Sequence, residues 1–396
     1  MKKITLKFFG LLLLGAGTLA SCDDDGLTAG DPNYFTSSRG QFTGTLEDGT
    51  SVFLLPGSTD GTATITYDGS KPLHTVSLTV LTVWVDTYQD DIDLSQTVTG
   101  RDGKTYTITA IDKEAFMGCR NFSTYESNGL TSIKIPSTIT SIGEGAFCYT
   151  SLETIDLTDA GITEIPLGCF GRCTSLVSAV IPASITTIGQ QAFSDCNNLT
   201  TLKLEEGLET IGERAFYGCE NLRVFNGTDG TGSDRTFTIP ASVTSIGKMA
   251  FSGMKCSIVD LSQSSIKSLP EGAFSACSNI QKVTLPEGLE TIGAQAFYDC
   301  RNTALTEITI PESVTKIGDK AFGGRGAVLD TKKGESVDWI SYITAYHMKS
   351  ATPPTLEGVL YEADKVSSTP TIYVPTGSLE AYKAADGWSS LNIEEE

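Results

Sequence analysis

Two histidines, ten cysteines and a surplus of carboxylates are the residues of this sequence that could do chemistry. His74 and His347 fall in different flanking segments, so a shared site is not expected and each reads as a surface or capping residue. The sequence holds no His-rich metal motif, Gly-rich phosphate loop or nucleophile elbow. Cys119, Cys173, Cys196, Cys219, Cys277 and Cys300 each lie three residues after a phenylalanine, while Cys148, Cys169 and Cys256 sit off that register. Cysteine at one fixed phase is the pattern of a core ladder of small apolar residues. One or two bridges between adjacent repeats stay open as an alternative. Cys169 and Cys173 have the spacing of a zinc half-site but lack partner histidines. Residues 226–234 carry Asp229 and Asp234 among glycines, without the bidentate Glu or the spacing of an EF-hand, and read as a surface loop. Glu205 and Glu206 sit on a repeat edge, a solvent-facing position rather than a cleft. No catalytic set, metal or cofactor is expected, and the chain does not read as an enzyme.

The elements that position these residues come from an internal repeat. Ala-Phe recurs at Phe116, Phe147, Phe193, Phe216, Phe251, Phe274, Phe297 and Phe322, with Cys169-Phe170 as a variant. The step is 23 residues from Phe147 through Phe170 and Phe193 to Phe216, and again from Phe251 through Phe274 to Phe297. Between Phe216 and Phe251 it is 35, one repeat plus a 12-residue insertion, and the end steps are 31 and 25. Ile133-Lys134-Ile135-Pro136, Leu202-Lys203-Leu204, Val283-Thr284-Leu285-Pro286 and Ile308-Thr309-Ile310-Pro311 keep phase with this anchor. Their alternation predicts a half-buried strand closed by proline. A second apolar pair follows, such as Leu208 and Ile211 or Leu289 and Ile292, and then a glycine suited to a tight corner or a close backbone approach. The Ala-Phe segment reads as one short helical turn with Phe inward. Asp156-Leu157 with Ile165-Pro166, and Asp260-Leu261 with Leu269-Pro270, mark an alternate repeat subtype.

No unit of this kind buries its own apolar face, so the expected fold is a repeat solenoid over 111–326, roughly 40 Å long at about 4.8 Å per coil. Its outward strand positions, Lys134, Asp156, Val180, Lys203, Thr238, Asp260, Thr284 and Thr309, are the candidate ligand-binding residues, since packing dictates the inward ones. An extended face suits a macromolecule better than a small molecule.

The unit Leu-Thr-x-Ile-x-Ile-Pro, Ile-Thr-x-Ile-Gly, Ala-Phe-x-x-Cys resembles the BspA-type leucine-rich repeats of bacterial and protist surface proteins. The resemblance covers a little over half of the chain. It implies a leucine-rich-repeat solenoid with short β-strands and one helical turn per repeat. It extends to the flanks, where Gly103 to Ile111 looks like the usual lead-in. Thr371-Ile372-Tyr373-Val374-Pro375, with Ala381-Tyr382-Lys383 and Trp388, looks like the terminal unit. Residues 34–110 read as a small N-terminal β segment or cap, with a strand over Thr75 to Val83. Residues 327–396 read as a loop and capping repeat.

Residues 1–21 read as a signal peptide: Lys2, Lys3 and Lys7 precede an apolar core from Phe8 to Leu14. Leu19-Ala20-Ser21-Cys22 resembles the lipobox of bacterial lipoproteins, which implies lipidation of Cys22 and a lasting hold on a membrane. Asp23, Asp24 and Asp25 look like the surface-export signal of Bacteroidota lipoproteins, ahead of a tether over 22–33. Together these imply an outer-membrane, lipid-anchored protein exposed at the cell surface. The chain's 28 basic and 48 acidic residues give −20, and losing the three N-terminal lysines makes it −23, a balance that repels nucleic acid. The resemblance implies adhesion to host extracellular-matrix proteins or to other cells through a protein ligand. A glycan-binding surface lipoprotein is the alternative; it calls for exposed aromatic platforms, which the outward positions above lack. Tyr149, Tyr217 and Tyr298 beside the anchor could face either way.

Overall fold

A computed structural model describes residues 42–45, 51–56, 62–66, 91–100, 105–118, 130–225, 236–324, 328–330, 335–337, 342–362 and 368–396. The signal segment, the tether with Cys22, His74, the strand expected over 75–83, Cys119 and the 226–234 loop lie outside these residues.

Every repeat lays down two short strands joined by a corner. First strands Thr154–Asp156, Ser178–Ile181, Thr201–Leu204 and Val224–Phe225 form one parallel ladder. Second strands Glu164–Ile165, Thr187–Ile188, Thr210–Ile211 and Ser245–Ile246 form another. A constant period is what keeps such ladders in register: Ile165 pairs with Ile188, and Ile188 with Ile211. Alternation along each strand decides what is buried. Ala179, Ile181, Leu202 and Leu204 are no more than 4% exposed, while Val180 and Lys203 between them face outward.

The interior is organised by the anchor phenylalanines. Phe116, Phe147, Phe170, Phe193, Phe216, Phe251, Phe274, Phe297 and Phe322 form one continuous stack, with centroids 5.1–5.7 Å apart and planes within 16° of parallel. Each stacked pair adds about 0.5–1.5 kcal/mol beyond area burial. The stack runs in step with the strand ladders, one ring per coil.

The expected helical turn takes the form of a double turn. Around Phe193, the N–H groups of Ala192 and Ser194 bond three residues back within the coil, to Gly189 and Gln191 carbonyls. Those of Gln191, Phe193 and Asp195 donate instead to Glu213, Ala215 and Tyr217 of the next coil, at 2.7–2.8 Å. A helix would use every donor internally. Alternate donation between coils requires left-handed backbone at Gln191 (φ 55) and Asp195 (φ 58), which a right-handed helix cannot accommodate. Among the described residues the only α-helix is Leu379–Ala384.

The cysteines that follow the anchor belong to this interior. Cys173, Cys196, Cys219, Cys277 and Cys300 are buried, and each S–H donates to the carbonyl of the phenylalanine one coil back, at 3.0–3.3 Å. No disulfide joins any two of the eight described cysteines.

The corner glycine answers to close approach rather than to positive φ. A Cβ on Gly212 would lie 2.6 Å from the Gln190 nitrogen and 2.6 Å from the Gly189 carbonyl carbon. Its own N–H donates 2.7 Å to the Ile188 carbonyl, so neither coil can retreat without losing that bond.

The flanks continue the stack. Phe42–Thr45, Ser51–Pro56 and Thr62–Thr66 form an antiparallel meander. It joins Thr105–Ile111, whose Ile111 pairs with Ile142 of the second ladder. The first ladder starts ahead of Ile111: Asp91–Asp93 pairs in parallel with Ser132–Lys134. At the other end Glu307–Ile310, Ala345–Met348, Thr371–Val374 and Asn392–Glu395 run parallel in sequence. Tyr382 and Trp388 plug the last coils, donating 2.8 Å to the Ser350 and Pro354 carbonyls. No helix among the described residues is long and apolar enough to cross a membrane.

Two substitutions test this account by urea denaturation. Gly212→Ala should lower stability by about 1–3 kcal/mol through overpacking. Phe216→Ala should lower it by about 3–5 kcal/mol through loss of a stacked ring. Unchanged midpoints would refute the close approach and the central role of the stack, respectively.

Candidate functional site

The first ladder turns one row of side chains away from the core. Asp156, Val180 and Lys203 are direct partners in it, as are Asp260 and Thr284. Thr238 follows Phe237, the partner of Val259, and so stands beside Asp260. Lys134 and Thr309 occupy the same strand position in their own coils. None of the eight is buried: Lys134, Asp156, Lys203 and Thr309 are exposed and the other four half-buried.

Register adds four residues that sequence reasoning did not place on this row. Asp93 pairs with Lys134; His347 pairs with Thr309; Tyr373 follows His347, and Glu394 follows Tyr373. The N-terminal addition had a signal. Asp93-Leu94-Ser95-Gln96 repeats Asp260-Leu261-Ser262-Gln263 residue for residue.

Local hydrogen bonds hold the row's acids in place. The Asp156 carboxylate accepts from the Thr158 N–H at 2.9 Å and from its hydroxyl at 2.5 Å, and Asp260 accepts from the Ser262 N–H at 3.0 Å. Lys134 reaches Asp93 at 3.4 Å, and Lys203 reaches Glu205 at 2.6 Å. With lysines 58% and 51% exposed, such pairs contribute little stability. Beside the row, the Ala241 and Ser242 N–H groups donate to Glu206 and hold its carboxyl below the ordinary range.

At the C-terminal end His347 bonds Glu396 through Nδ1 and lies 3.9 Å from Glu307 through Nε2. The bond from His347 holds the Glu396 carboxyl below its usual range. His347 stacks on Tyr373 with centroids 5.1 Å apart and planes within 15°. The row therefore does carry an aromatic residue, but the stack turns ring faces along the solenoid axis rather than outward. Of the three tyrosines beside the anchor, Tyr217 is 39% exposed. Tyr149 is half-buried, with its hydroxyl bonded by Arg172 and the guanidinium 5.3 Å from the ring centre; Tyr298 is half-buried too.

Burial works against thiolate formation in the described cysteines. Burial pushes Cys169, Cys196 and Cys277 well above the ordinary thiol range, and Cys256 up to about 12. Among the eight, Cys148 alone is half-buried rather than buried, and desolvation pushes it up to about 11. No cluster of three metal-ligating side chains occurs among the described residues.

The model of the BspA type leucine rich repeat region matches residues 109–233 and 229–327, in six copies. Among solved structures, a leucine rich cell surface protein from Faecalibacterium prausnitzii is 20% identical, with a TM-score of 0.38, over 87% of this chain and 93% of that one. A leucine-rich repeat protein from Bacteroides ovatus is 19% identical, with a TM-score of 0.33, over 87% and 98%. The leucine rich repeat protein of T. pallidum is 21% identical, with a TM-score of 0.36, over 63% and 86%. No curated protein matches the chain.

Thiol labelling tests the burial scheme. In the native protein the five cysteines that donate to phenylalanine carbonyls should stay unlabelled, as mapped by mass spectrometry. Cys148 should label slowly, faster as pH rises toward about 11, because the thiolate is the nucleophile. Rapid labelling of Cys196 at neutral pH would refute a sealed core.

Proposed function

The chain belongs to the BspA-type leucine-rich-repeat family, and from that premise we propose that it is a non-enzymatic surface lipoprotein that binds a protein ligand, in adhesion to host extracellular matrix or to other cells. One observation carries this reading. The outward row runs from Asp93 through the repeats to Glu394 in parallel coils, and its side chains are not consumed by packing. A long, rigid face with scattered charge fits another macromolecule. The proposed contact residues are Lys134, Asp156, Val180, Lys203, Thr238, Asp260, Thr284 and Thr309.

A glycan ligand is the second reading, favoured only by Tyr373 on the row. Sugar stacking needs an open ring face, and His347 covers one face of Tyr373.

Attachment is proposed through a lipid on Cys22, with Asp23, Asp24 and Asp25 directing export to the outer face of the outer membrane. Proteolysis of intact cells should then remove the protein. Its protection would sink the export reading.

Binding of the mature protein to immobilised matrix proteins and to a glycan array separates the two ligand classes. Lys203→Glu combined with Thr284→Trp should weaken matrix binding about tenfold or more, whereas Glu164→Lys on the second ladder should leave it unchanged. Saturable glycan binding without any protein ligand would overturn the proposal.

A further inference from the structure

Asn392–Glu395 is the outermost described strand of the first ladder, paired on one side with Thr371–Val374. The Glu396 N–H donates 2.9 Å to the Val374 carbonyl. That bond sets the phase of the parallel ladder: even-numbered residues face the neighbouring strand, and Ile393 and Glu395 turn their backbone N–H and C=O groups the other way. Among the described residues no strand pairs with that outer side. The strand is nonetheless held firmly. The Glu395 carboxylate accepts 2.9 Å from the Gly377 N–H, and Glu396 is held by His347 and, at 3.6 Å, by Lys349. Ile393, 7% exposed, ends the inward column, and Glu394 stands exposed at the end of the outward row.

We propose that this edge takes up an extended basic peptide segment of a partner protein as the next parallel rung. The ladder's register dictates the segment's pattern. An apolar residue would stack on Ile393, and a Lys or Arg next to it would stand directly opposite Glu394, the position where opposite charge stabilises a cross-strand pair. Backbone bonds to Ile393 and Glu395 would supply the remaining hold, as in other strand additions. A second copy of this chain is disfavoured as the occupant. Stacked head to tail in register, its first rung would set Asp93 against Glu394.

The test uses the full chain and three synthetic capped peptides: Thr-Ile-Lys-Ile-Thr, its counterpart Thr-Ile-Glu-Ile-Thr, and the lysine peptide N-methylated at alternate residues. The lysine peptide should shift the amide resonances of Ile393 to Glu396 and bind about fivefold or more tightly than the glutamate peptide. N-methylation should abolish binding, and Glu394→Lys should reverse the preference while leaving the circular dichroism and thermal midpoint unchanged. Equal affinity for the two charged peptides, shifts at Lys203 and Thr284 instead of the edge, or a sedimentation mass that doubles with concentration in the absence of peptide would each overturn the proposal. The contacts proposed for matrix binding, from Lys134 to Thr309, do not include Glu394, so failure of that reading and failure of this one are read separately.

Discussion

Coil spacing is the constraint on which the rest of this structure depends. Hydrogen-bonded strands repeat at about 4.8 Å, and the anchor phenylalanines of successive coils, with centroids 5.1–5.7 Å apart, stack parallel within that repeat. Meeting both conditions in one coil leaves the backbone little freedom. Gln191 and Asp195 adopt left-handed conformations so that every second N–H can reach the next coil. Gly212 has no Cβ because the neighbouring backbone already fills that space. The Cys196 sulfur is fully buried, and its S–H satisfies the Phe170 carbonyl of the preceding coil. Each unusual local choice thus follows from the spacing, which no coil could set alone.

This dependence explains how much was legible in the sequence. Inward residues answer to their neighbours above and below, so they recur: Phe, Cys, the apolar strand pairs and the corner glycine announce solenoid, strands and core. The turn around Phe was harder to read. Gln, Arg, Met and Lys occupy the left-handed position two residues before it, at Gln191, Arg214, Met249 and Lys320, and none of these advertises positive φ. The interaction that places them there is a backbone bond to a residue 22 positions or more away, as from Gln191 to Glu213. Local periodicity contains no trace of such a bond.

The candidate row shows the same split. Its eight positions within the repeats follow from strand alternation. Its extension to His347, Tyr373 and Glu394 does not, because steps between coils in the cap are irregular and only hydrogen-bonded register connects them. Side-chain identity along the row varies from Asp156 to Val180 to Lys203 because packing does not choose it. That freedom sets the row apart from the inward columns, whose residue types the core dictates.

The alternate repeats show the constraint handled differently. In the regular coil the first-strand residue follows the anchor by nine positions, from Phe170 to Ala179, and the second-strand residue follows by nine more, at Ile188. In the Asp-bearing coils these steps become eight and ten, from Phe147 to Ile155 to Ile165 and from Phe251 to Val259 to Leu269. The period of 23 is conserved by moving one residue from the turn into the corner. These are also the coils with Pro166 and Pro270 where others have glycine. Corner glycines donate their N–H to the preceding coil, as Gly189 does to Ile165 and Gly212 to Ile188. Proline has no N–H to give. Accordingly the second ladder is interrupted just before each of them, between Ser141–Ile142 and Glu164–Ile165 and between Ser245–Ile246 and Ser268–Leu269. The phenylalanine stack passes both interruptions unbroken, at 5.3 Å and 5.4 Å. The backbone bonds of the turn cross both as well, from Phe147 N–H to the Cys169 carbonyl at 2.9 Å and from Phe251 N–H to the Ala273 carbonyl at 3.0 Å; core and turn together carry the solenoid past each cut in the second ladder.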